Sequence, residues 1–245
     1  MHPPFLLLAS REVDEVADDE HRSIARHLGV DLADVARVRM ERGPFTPLDL
    51  SGARGVILGG SPYTSTTPLT AQTPAQVRVE EELRAVFTQV REAGIPFLGL
   101  CYGVGTLGRA AGGTVDDAFA EPTAAVRLTV TAAGRADPLL AGVPTEFTAF
   151  VGHKEALSAL PPGARLLVTG RECPFQMWRL GAHQWVTQFH PEMDNASLAT
   201  RMRAYRNYGY FPAEAFDALL DEVMRADVCA AHLVLRNFAG HALGR

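Results

Sequence analysis

The first hundred residues alternate short apolar runs with longer polar or amphipathic stretches. Four of the apolar runs have the length and composition of buried strands: FLLLAS (5–10), VARVRM (35–40), GVILGG (55–60) and IPFLGL (95–100). Between the strands, residues 12–28 are polar with partial helical spacing, and residues 77–94 place five apolar side chains on one helix face. This alternation predicts a parallel sheet with helices on both faces.

From about residue 124 the apolar runs become shorter and are separated by turn residues. Five of these runs predict strands: AVRLTVT (125–131), EFTAFVGH (146–153), ARLLVTG (164–170), PFQMWRLG (174–181) and HQWVTQFH (183–190). The Leu-Gly-Ala turn at 180–182 predicts a hairpin, and residues 197–245 have helical patterning. The expected fold class is therefore α/β, a mostly parallel central sheet flanked by helices, with added antiparallel strands and a helical C-terminal tail.

Length, charge and cysteine content narrow the classes of function. The chain has 245 residues without an internal repeat or clear linker, which favours one domain. A formal net charge of -5 argues against a nucleic-acid or anionic-membrane partner, because both favour a basic face. The apolar run at 5–9 is too short for a membrane span or signal-peptide core. Three cysteines, far apart, indicate a reducing, cytoplasmic setting.

No metal site is expected from the acidic or thiol-bearing residues. The run from Glu12 to Glu20 holds six carboxylates within nine residues, but their spacing matches neither an EF-hand loop nor a His/Cys cluster. We interpret this run as a solvated helix face. Cys173 and Cys229 are interpreted as inert core or surface thiols.

Cys101 lies at the tip of a predicted strand-to-helix turn, the position of the nucleophile elbow in hydrolases. Gly99 and Gly103 flank it and allow a tight turn of the backbone. A helix beginning just after Cys101 favours the thiolate, because its free N–H groups stabilise negative charge. The backbone N–H of Tyr102 then points to where an oxyanion would form. Alone, the pattern fits a buried structural cysteine equally well.

A second pair of chemistry-bearing residues lies in QFHPEMD (188–194). His190 ends an apolar run, and Glu192 follows two residues later, beyond Pro191. In an extended strand, positions i and i+2 project to the same side, so the carboxylate can orient the imidazole as a general base. Alone, the pair fits a hairpin-edge histidine and a solvated glutamate better.

Together these residues resemble the class I glutamine amidotransferase family. The resemblance spans roughly residues 5–195 and is greatest to glutaminase domains of the GMP synthase type, especially stand-alone ones. Four segments carry it, in the family's order: GVILGGSP (55–62), PFLGLCYGVGTLGRAAGG (96–113), FVGHKEAL (150–157) and VTQFHPE (186–192). It implies the flavodoxin-like fold of that family over residues 1–195, with residues 196–245 as a helical extension packed on it.

The resemblance implies a catalytic triad of Cys101, His190 and Glu192. Cys101 would attack the side-chain amide of glutamine and form a γ-glutamyl thioester, while His190 moves the protons and Glu192 orients the imidazole. The oxyanion hole would consist of the backbone N–H groups of Gly60 and Tyr102. The products would be glutamate and ammonia, and no cofactor is implied.

Three further residues are implied as substrate contacts: Gly59, Gly105 and His153. The family's Cys-x-Gly-x-Gln segment has Gly105 in place of the glutamine that lies near the bound substrate, so that contact is expected to differ here. Lys154 and Glu155 are expected to form a solvated turn.

The reaction partner is left open by the sequence. No pyrophosphatase loop or Walker-type phosphate loop occurs in the chain, so ammonia is expected to reach a separate synthetase or acceptor protein, or to be released. Two other hypotheses remain. One is a related cysteine hydrolase acting on another γ-glutamyl amide or peptide, and the other is a non-catalytic partner-binding module on the same fold.

Overall fold

A computed structural model describes residues 4–206, 211 and 213–244. Its helices are α1 (Asp14–Leu28), α2 (Pro74–Glu92), α3 (Tyr102–Ala110), α4 (Asn195–Ala204), α5 (Phe216–Arg225) and α6 (Leu233–Leu243). Its strands are β1 (Phe5–Ala9), β2 (Val35–Arg39), β3 (Gly55–Leu58), β4 (Phe97–Leu100), β5 (Thr114–Asp116), β6 (Glu121–Val130), β7 (Glu146–His153), β8 (Ala156–Ala159), β9 (Arg165–Gly170), β10 (Met177–Leu180) and β11 (Gln184–Thr187).

Nine strands form one mixed sheet in the order β2-β1-β3-β4-β11-β10-β9-β6-β7. The first five of these are parallel to one another, and the remaining contacts are antiparallel. β10 and β11 form the hairpin that the turn at 180–182 predicted. β5 and β8 form a separate two-stranded sheet. The predicted α/β class, with a mostly parallel centre and added antiparallel strands, is confirmed.

Helices cover both faces of the sheet because the central strands are apolar on both sides. All four residues of β3 and of β4 are buried. On one face, side chains of α1 and α6 pack against β1 and the strands beside it. On the other face, α2 and α3 pack against alternate residues of the same strands. Parallel sheets require this two-sided cover.

The C-terminal helices contact the sheet layers at several points. Helix α6 packs on α1, and Asn237 Nδ2 donates to the backbone oxygens of Leu139 (3.0 Å) and Ala141 (2.8 Å). Helices α4 and α5 share a third apolar cluster with Phe150 of β7. The tail also contains Tyr208 and Tyr210, which lie outside the described residues. Within the described part of the chain, no helix is long and apolar enough to cross a bilayer.

Replacing Phe238 tests whether residues 196–245 fold together with the sheet. Its side chain is fully buried, and a Cβ on Gly55 would lie only 3.0 Å from its ring. We expect Phe238→Ala to lower the free energy of unfolding by about 3–5 kcal/mol, measured by urea denaturation, within one transition. Met224→Ala is the control, because Met224 is 55% exposed and its loss should cost less than about 0.5 kcal/mol. Two separate transitions in the wild type would show that the extension folds independently.

Candidate active site

The candidate site lies at the carboxyl ends of the parallel strands. Adjacent strands β3, β4 and β11 end at Leu58, Leu100 and Thr187, and the segments after them carry Gly59–Gly60, Cys101 and His190. Parallel strands end at one edge of a sheet, which is where open α/β folds bind ligands. The topology therefore brings together residues that are distant in the sequence.

Cys101 is the only non-glycine residue with positive φ in the described part of the chain. Its φ of 47° and ψ of -74° turn the backbone abruptly from β4 into α3. A Cβ on Gly99 would lie 3.0 Å from the Cα of Gly103, so strand and helix approach closely only because both positions lack side chains. The Cys101 N–H donates to Thr187 O at 2.7 Å, which fixes the turn to β11. A non-glycine residue in this conformation is strained and points to function.

The Cys101 thiol is protonated in the resting protein. Burial raises its pKa to about 12, and Glu155 and Glu192 add to that effect, while Arg11 and Arg201 oppose it. The sequence had suggested that the helix N-terminus would favour the thiolate, but desolvation is the larger influence. The thiol consequently needs a neighbouring base to take its proton. Gln188 Nε2 lies 3.9 Å from Sγ and can donate a weak hydrogen bond to it.

His190 and Glu192 are joined by a hydrogen bond of 2.8 Å between Nδ1 and Oε1. Strand β11 ends at Thr187, so the turn that contains Pro191, and not strand alternation, brings the two side chains together. The His190 N–H donates to Phe150 O at 2.9 Å, and Ser23 Oγ donates to Glu192 O at 2.5 Å. Both backbone positions are therefore fixed by neighbouring elements.

The charge states of this pair follow from burial and from nearby charges. Burial lowers the pKa of His190 below its usual 6.5, with Arg201 and Arg11 acting in the same direction and Glu192 against them. Burial alone would raise the pKa of Glu192, but His190 and Arg201 together hold it well below its ordinary 4.5. At neutral pH the pair is thus a neutral imidazole oriented by a carboxylate. Because Glu192 accepts the Nδ1 proton, Nε2 remains as the basic nitrogen.

A buried ion network, which the sequence analysis missed, lies behind the imidazole. Arg201 on α4 contacts Glu192 Oε1 at 3.0 Å and Glu20 Oε1 at 3.2 Å. Arg11, directly after β1, donates to Glu20 Oε1 at 2.8 Å. Glu20 is fully buried, so the expectation that Glu12–Glu20 forms a solvated face is wrong at this residue. The sequence does contain one indication for Arg11: a basic residue soon after a buried parallel strand lies at the edge of the sheet where ligands bind.

Gly59 and Gly60 allow this network to approach the turn after β3. A Cβ on Gly59 would lie 2.8 Å from Glu20 Oε2, and one on Gly60 would lie 2.7 Å from Arg11 Nη2 and 3.0 Å from His190 Cε1. The backbone at Gly60 therefore lies directly beside the imidazole. This position suits an oxyanion donor, whereas Gly59 is covered by Glu20.

Gly105 is adjacent to Glu155. A Cβ at this position would overlap Glu155 Oε1 and lie 2.5 Å from Ser65 Oγ. The Glu155 carboxylate accepts from the backbone N–H groups of Ser65 (2.9 Å) and Thr66 (2.8 Å), and also from Ser65 Oγ (3.0 Å). The expectation that Glu155 lies in a solvated turn is wrong, because it is buried and anchors the loop after β3; Lys154 is exposed.

His153 belongs to a neighbouring buried cluster. Its Nε2 lies 2.9 Å from Glu121 Oε2, and its Nδ1 lies 3.0 Å from Glu155 O. Gln176 Nε2 donates to the same Glu121 oxygen at 2.6 Å. The donor atoms of Glu121, His153 and Cys173 lie within 4.8 Å of one another, the spacing of a metal-ligand set. His153 and Glu121 are already paired by hydrogen bonds in this cluster, and the substrate contact of His153 stays a prediction.

Cys101 and His190 line one cavity at this edge of the sheet. Arg11 and Ser61 bound it on the side of the β3 turn, and Val151 bounds it from β7. The remaining wall is formed by the turn before α4, by α4 itself and by the residues after it. The cavity thus brings together a thiol, an oriented imidazole and a glycine turn, which is the set of groups that acyl transfer requires.

Comparisons with known proteins show which family has this sequence pattern. The model of the family "Glutamine amidotransferase class-I" matches residues 16–204. The glutamine-hydrolysing GMP synthase of Porphyromonas gingivalis strain W83 is 31% identical over 157 residues, which is 64% of this chain and 28% of that protein. That of Brucella melitensis is 28% identical over 203 residues, covering 78% and 37%. The chain spans between 28% and 37% of the length of these two relatives.

Solved structures with the same fold include glutamine amidotransferases from two bacteria. The one from Thermotoga maritima has a TM-score of 0.78 at 17% identity, with 100% of both chains covered. The one from Methylobacillus flagellatus has a TM-score of 0.70 at 18% identity, covering 100% of this chain and 94% of the other. These similarities establish the fold, and the family match extends over most of the sequence. The chain belongs to the class I glutamine amidotransferase family.

Proposed function

We propose that this chain hydrolyses the side-chain amide of glutamine to glutamate and ammonia, with Cys101 as the nucleophile. One observation carries the proposal. Cys101 is held at positive φ in the wall of a cavity that it shares with His190, and Glu192 orients the imidazole through a 2.8 Å hydrogen bond. A thiol on a strained backbone turn, in the same cavity as an oriented neutral base, is the arrangement of a cysteine acyl-transfer enzyme.

The proposed reaction has two steps. His190 Nε2 takes the thiol proton while Cys101 Sγ attacks the amide carbon. The C–N bond then breaks, the proton passes from His190 to the departing ammonia, and a γ-glutamyl thioester remains. Water, deprotonated by His190, attacks the thioester carbon; the C–S bond breaks, and the proton returns to Sγ. In both steps, the backbone N–H groups of Gly60 and Tyr102 would stabilise the oxyanion.

The ion network supports the base. A thiol whose pKa is about 12 transfers its proton to a neutral imidazole only if the resulting ion pair is stabilised. Glu192 stabilises the imidazolium directly, while Arg201 holds Glu192 in place at 3.0 Å. Arg201 therefore acts as a positioning residue through Glu192.

We further propose that the ammonia serves a separate acceptor or synthetase protein. The curated relatives described above are glutamine-hydrolysing GMP synthases, and the match covers 28–37% of their lengths. A non-catalytic, partner-binding module is the competing hypothesis. It offers no reason for the strain at Cys101 or for the buried pair His190–Glu192.

Replacing the nucleophile is the first test. The purified chain should release ammonia from glutamine, and Cys101→Ala should reduce the release to background, because no other group forms the thioester. Cys229→Ala is the control, since Cys229 is exposed and distant from the cavity; it should retain wild-type rates. Unchanged release from Cys101→Ala would contradict the proposal, and a wild type inert toward glutamine would favour the competing hypothesis.

The pH profile should reveal the lowered pKa of His190. Because the imidazole must be neutral to act as base, kcat/KM should fall as the pH drops through this pKa, with a midpoint below 6.5. Arg201→Met removes a cation that lowers this pKa, so the midpoint should move to higher pH. Arg201→Lys preserves the charge and should restore the wild-type midpoint. An unmoved midpoint in a folded Arg201→Met protein would refute the electrostatic role.

Gly60→Ala tests the oxyanion turn. Its φ is not in the left-handed region, but the added Cβ would contact Arg11 Nη2 and His190 Cε1. We expect kcat to fall by roughly 10²–10³, because the Cβ displaces His190 or moves the Gly60 N–H away from the oxyanion, and the free energy of unfolding to fall by about 1–3 kcal/mol because the Cβ overpacks Arg11. Gly43→Ala is the matched control, because nothing lies within 4 Å of a Cβ there. Equal kcat values for the two variants would show that close approach of the Gly60 backbone to His190 is not needed for the reaction.

A further inference from the structure

The cavity beside Cys101 has a wall that release of ammonia does not require. Its outer side consists of large side chains from the turn before α4, from α4 and from the residues beyond it: Met193, Leu198, Met202, Tyr205 and Phe211. All five are at least nine-tenths buried. Four of them belong to the apolar cluster that α5 also joins. The nucleophile is therefore flanked by an apolar surface contributed by residues 193–205 and by Phe211.

The position of this wall relative to His190 identifies the part of the substrate that would reach it. His190 must donate a proton to the departing nitrogen, so any substituent on that nitrogen lies on the imidazole side of Cys101. The wall begins on that side, because Met193 lines the cavity together with His190 and donates its backbone N–H to His190 O at 3.3 Å. Phe150, whose carbonyl accepts from the His190 N–H, packs in the same apolar cluster.

Charge balance in the cavity disfavours an anionic substituent. Arg11 and Arg201 both line the cavity, but Glu20 pairs with both guanidinium groups, and Glu192 pairs with Arg201. With His190 neutral, two cations and two carboxylates cancel. An additional carboxylate would therefore meet no uncompensated cation among these groups.

The cavity is also larger than ammonia needs. Its volume is about 50 Å³, whereas one water needs roughly 10–15 Å³ of such space. Ammonia is the size of one water. The reacting carbonyl beside Cys101 occupies part of this volume, and the part against the apolar wall suits a short alkyl group, whose transfer from water is favourable.

We propose that the preferred substrate class is a γ-glutamyl amide whose leaving group is an amine with a short apolar substituent. This inference rests on the proposed function, since it uses the same nucleophile and base. Cys101 Sγ forms a bond to the γ-carbonyl carbon, the C–N bond breaks, and the thiol proton leaves on the amine through His190. Water then hydrolyses the thioester, releasing glutamate and returning the proton to Sγ. The α4 wall binds only the amine part.

Two alkylamides test the proposal against intrinsic reactivity. γ-Glutamyl methylamide and γ-glutamyl isopentylamide have leaving amines of almost equal basicity and differ in apolar surface. With glutamate release as the readout, kcat/KM should be at least about tenfold higher for the isopentylamide. Cys101→Ala should cleave neither compound.

Variants at Met202 test the wall itself. Met202→Phe reduces the space and should lower the isopentyl-to-methyl ratio of kcat/KM, whereas Met202→Ala enlarges it and should raise the ratio for a still larger alkylamide. The ratio is measured within each enzyme, so a general loss of stability does not imitate the effect. Met224→Phe and Met224→Ala are the controls, because Met224 is exposed on α5; they should keep the wild-type ratio.

The outcomes separate this inference from the proposed function. If the wild type hydrolyses glutamine through Cys101 but prefers the methylamide or neither alkylamide, the inference is overturned and the proposed function stands. If the folded protein hydrolyses neither glutamine nor the alkylamides, both fail. An isopentyl preference that Met202→Phe does not lower would show that the amine binds elsewhere.

Discussion

Two buried arginines and two buried glutamates lie behind the imidazole of His190, and the packing around the site depends on the mutual compensation of their charges. Isolated buried charges are expensive, and an ion pair offsets that cost only with good geometry and additional contacts. Here the Glu20 carboxylate forms ion pairs with both Arg11 and Arg201, and Arg201 also forms an ion pair with Glu192. Strand β1, helices α1 and α4 and the turn after β11 must therefore meet at one point. Gly59 and Gly60 make that meeting possible by leaving room for the side chains.

The sequence predicts candidate site residues whose signal lies within a few neighbouring residues. It does not predict the side chains that distant helices and strands bring into contact with them. Cys101 was identifiable because its signal, an apolar run followed by closely spaced glycines, lies within a few residues. His190 and Glu192 were identifiable for the same reason, although the turn that aligns them is not a strand. Arg201 carries no local signal: it is one of two arginines on a polar-looking helix, and its buried contacts form only when α4 packs beside α1.

Glu155 shows the same limit at a single residue. A glutamate next to a lysine in a predicted turn is ordinarily solvated, and the sequence therefore predicts a solvated Glu155. Three hydrogen bonds from the Ser65–Thr66 segment change the outcome, because they satisfy both carboxylate oxygens in a buried setting. Gly105 is the compensating residue, since any side chain there would occupy the space of that carboxylate. A glutamine at position 105 would therefore overlap the Glu155 carboxylate.

The pairing of β11 with β4 affects the order in which the parts of the site can form during folding. β11 pairs with β4, so Trp185 lies opposite Leu98, although most of the antiparallel strands are synthesised between them. Contacts of such long sequence separation incur a large loop-closure entropy and form slowly. A nascent chain that ends soon after Cys101 lacks the strand that fixes the turn at this residue and the segment that carries His190. The cavity that Cys101 and His190 share is therefore complete only after the hairpin of β10 and β11 has docked against β4.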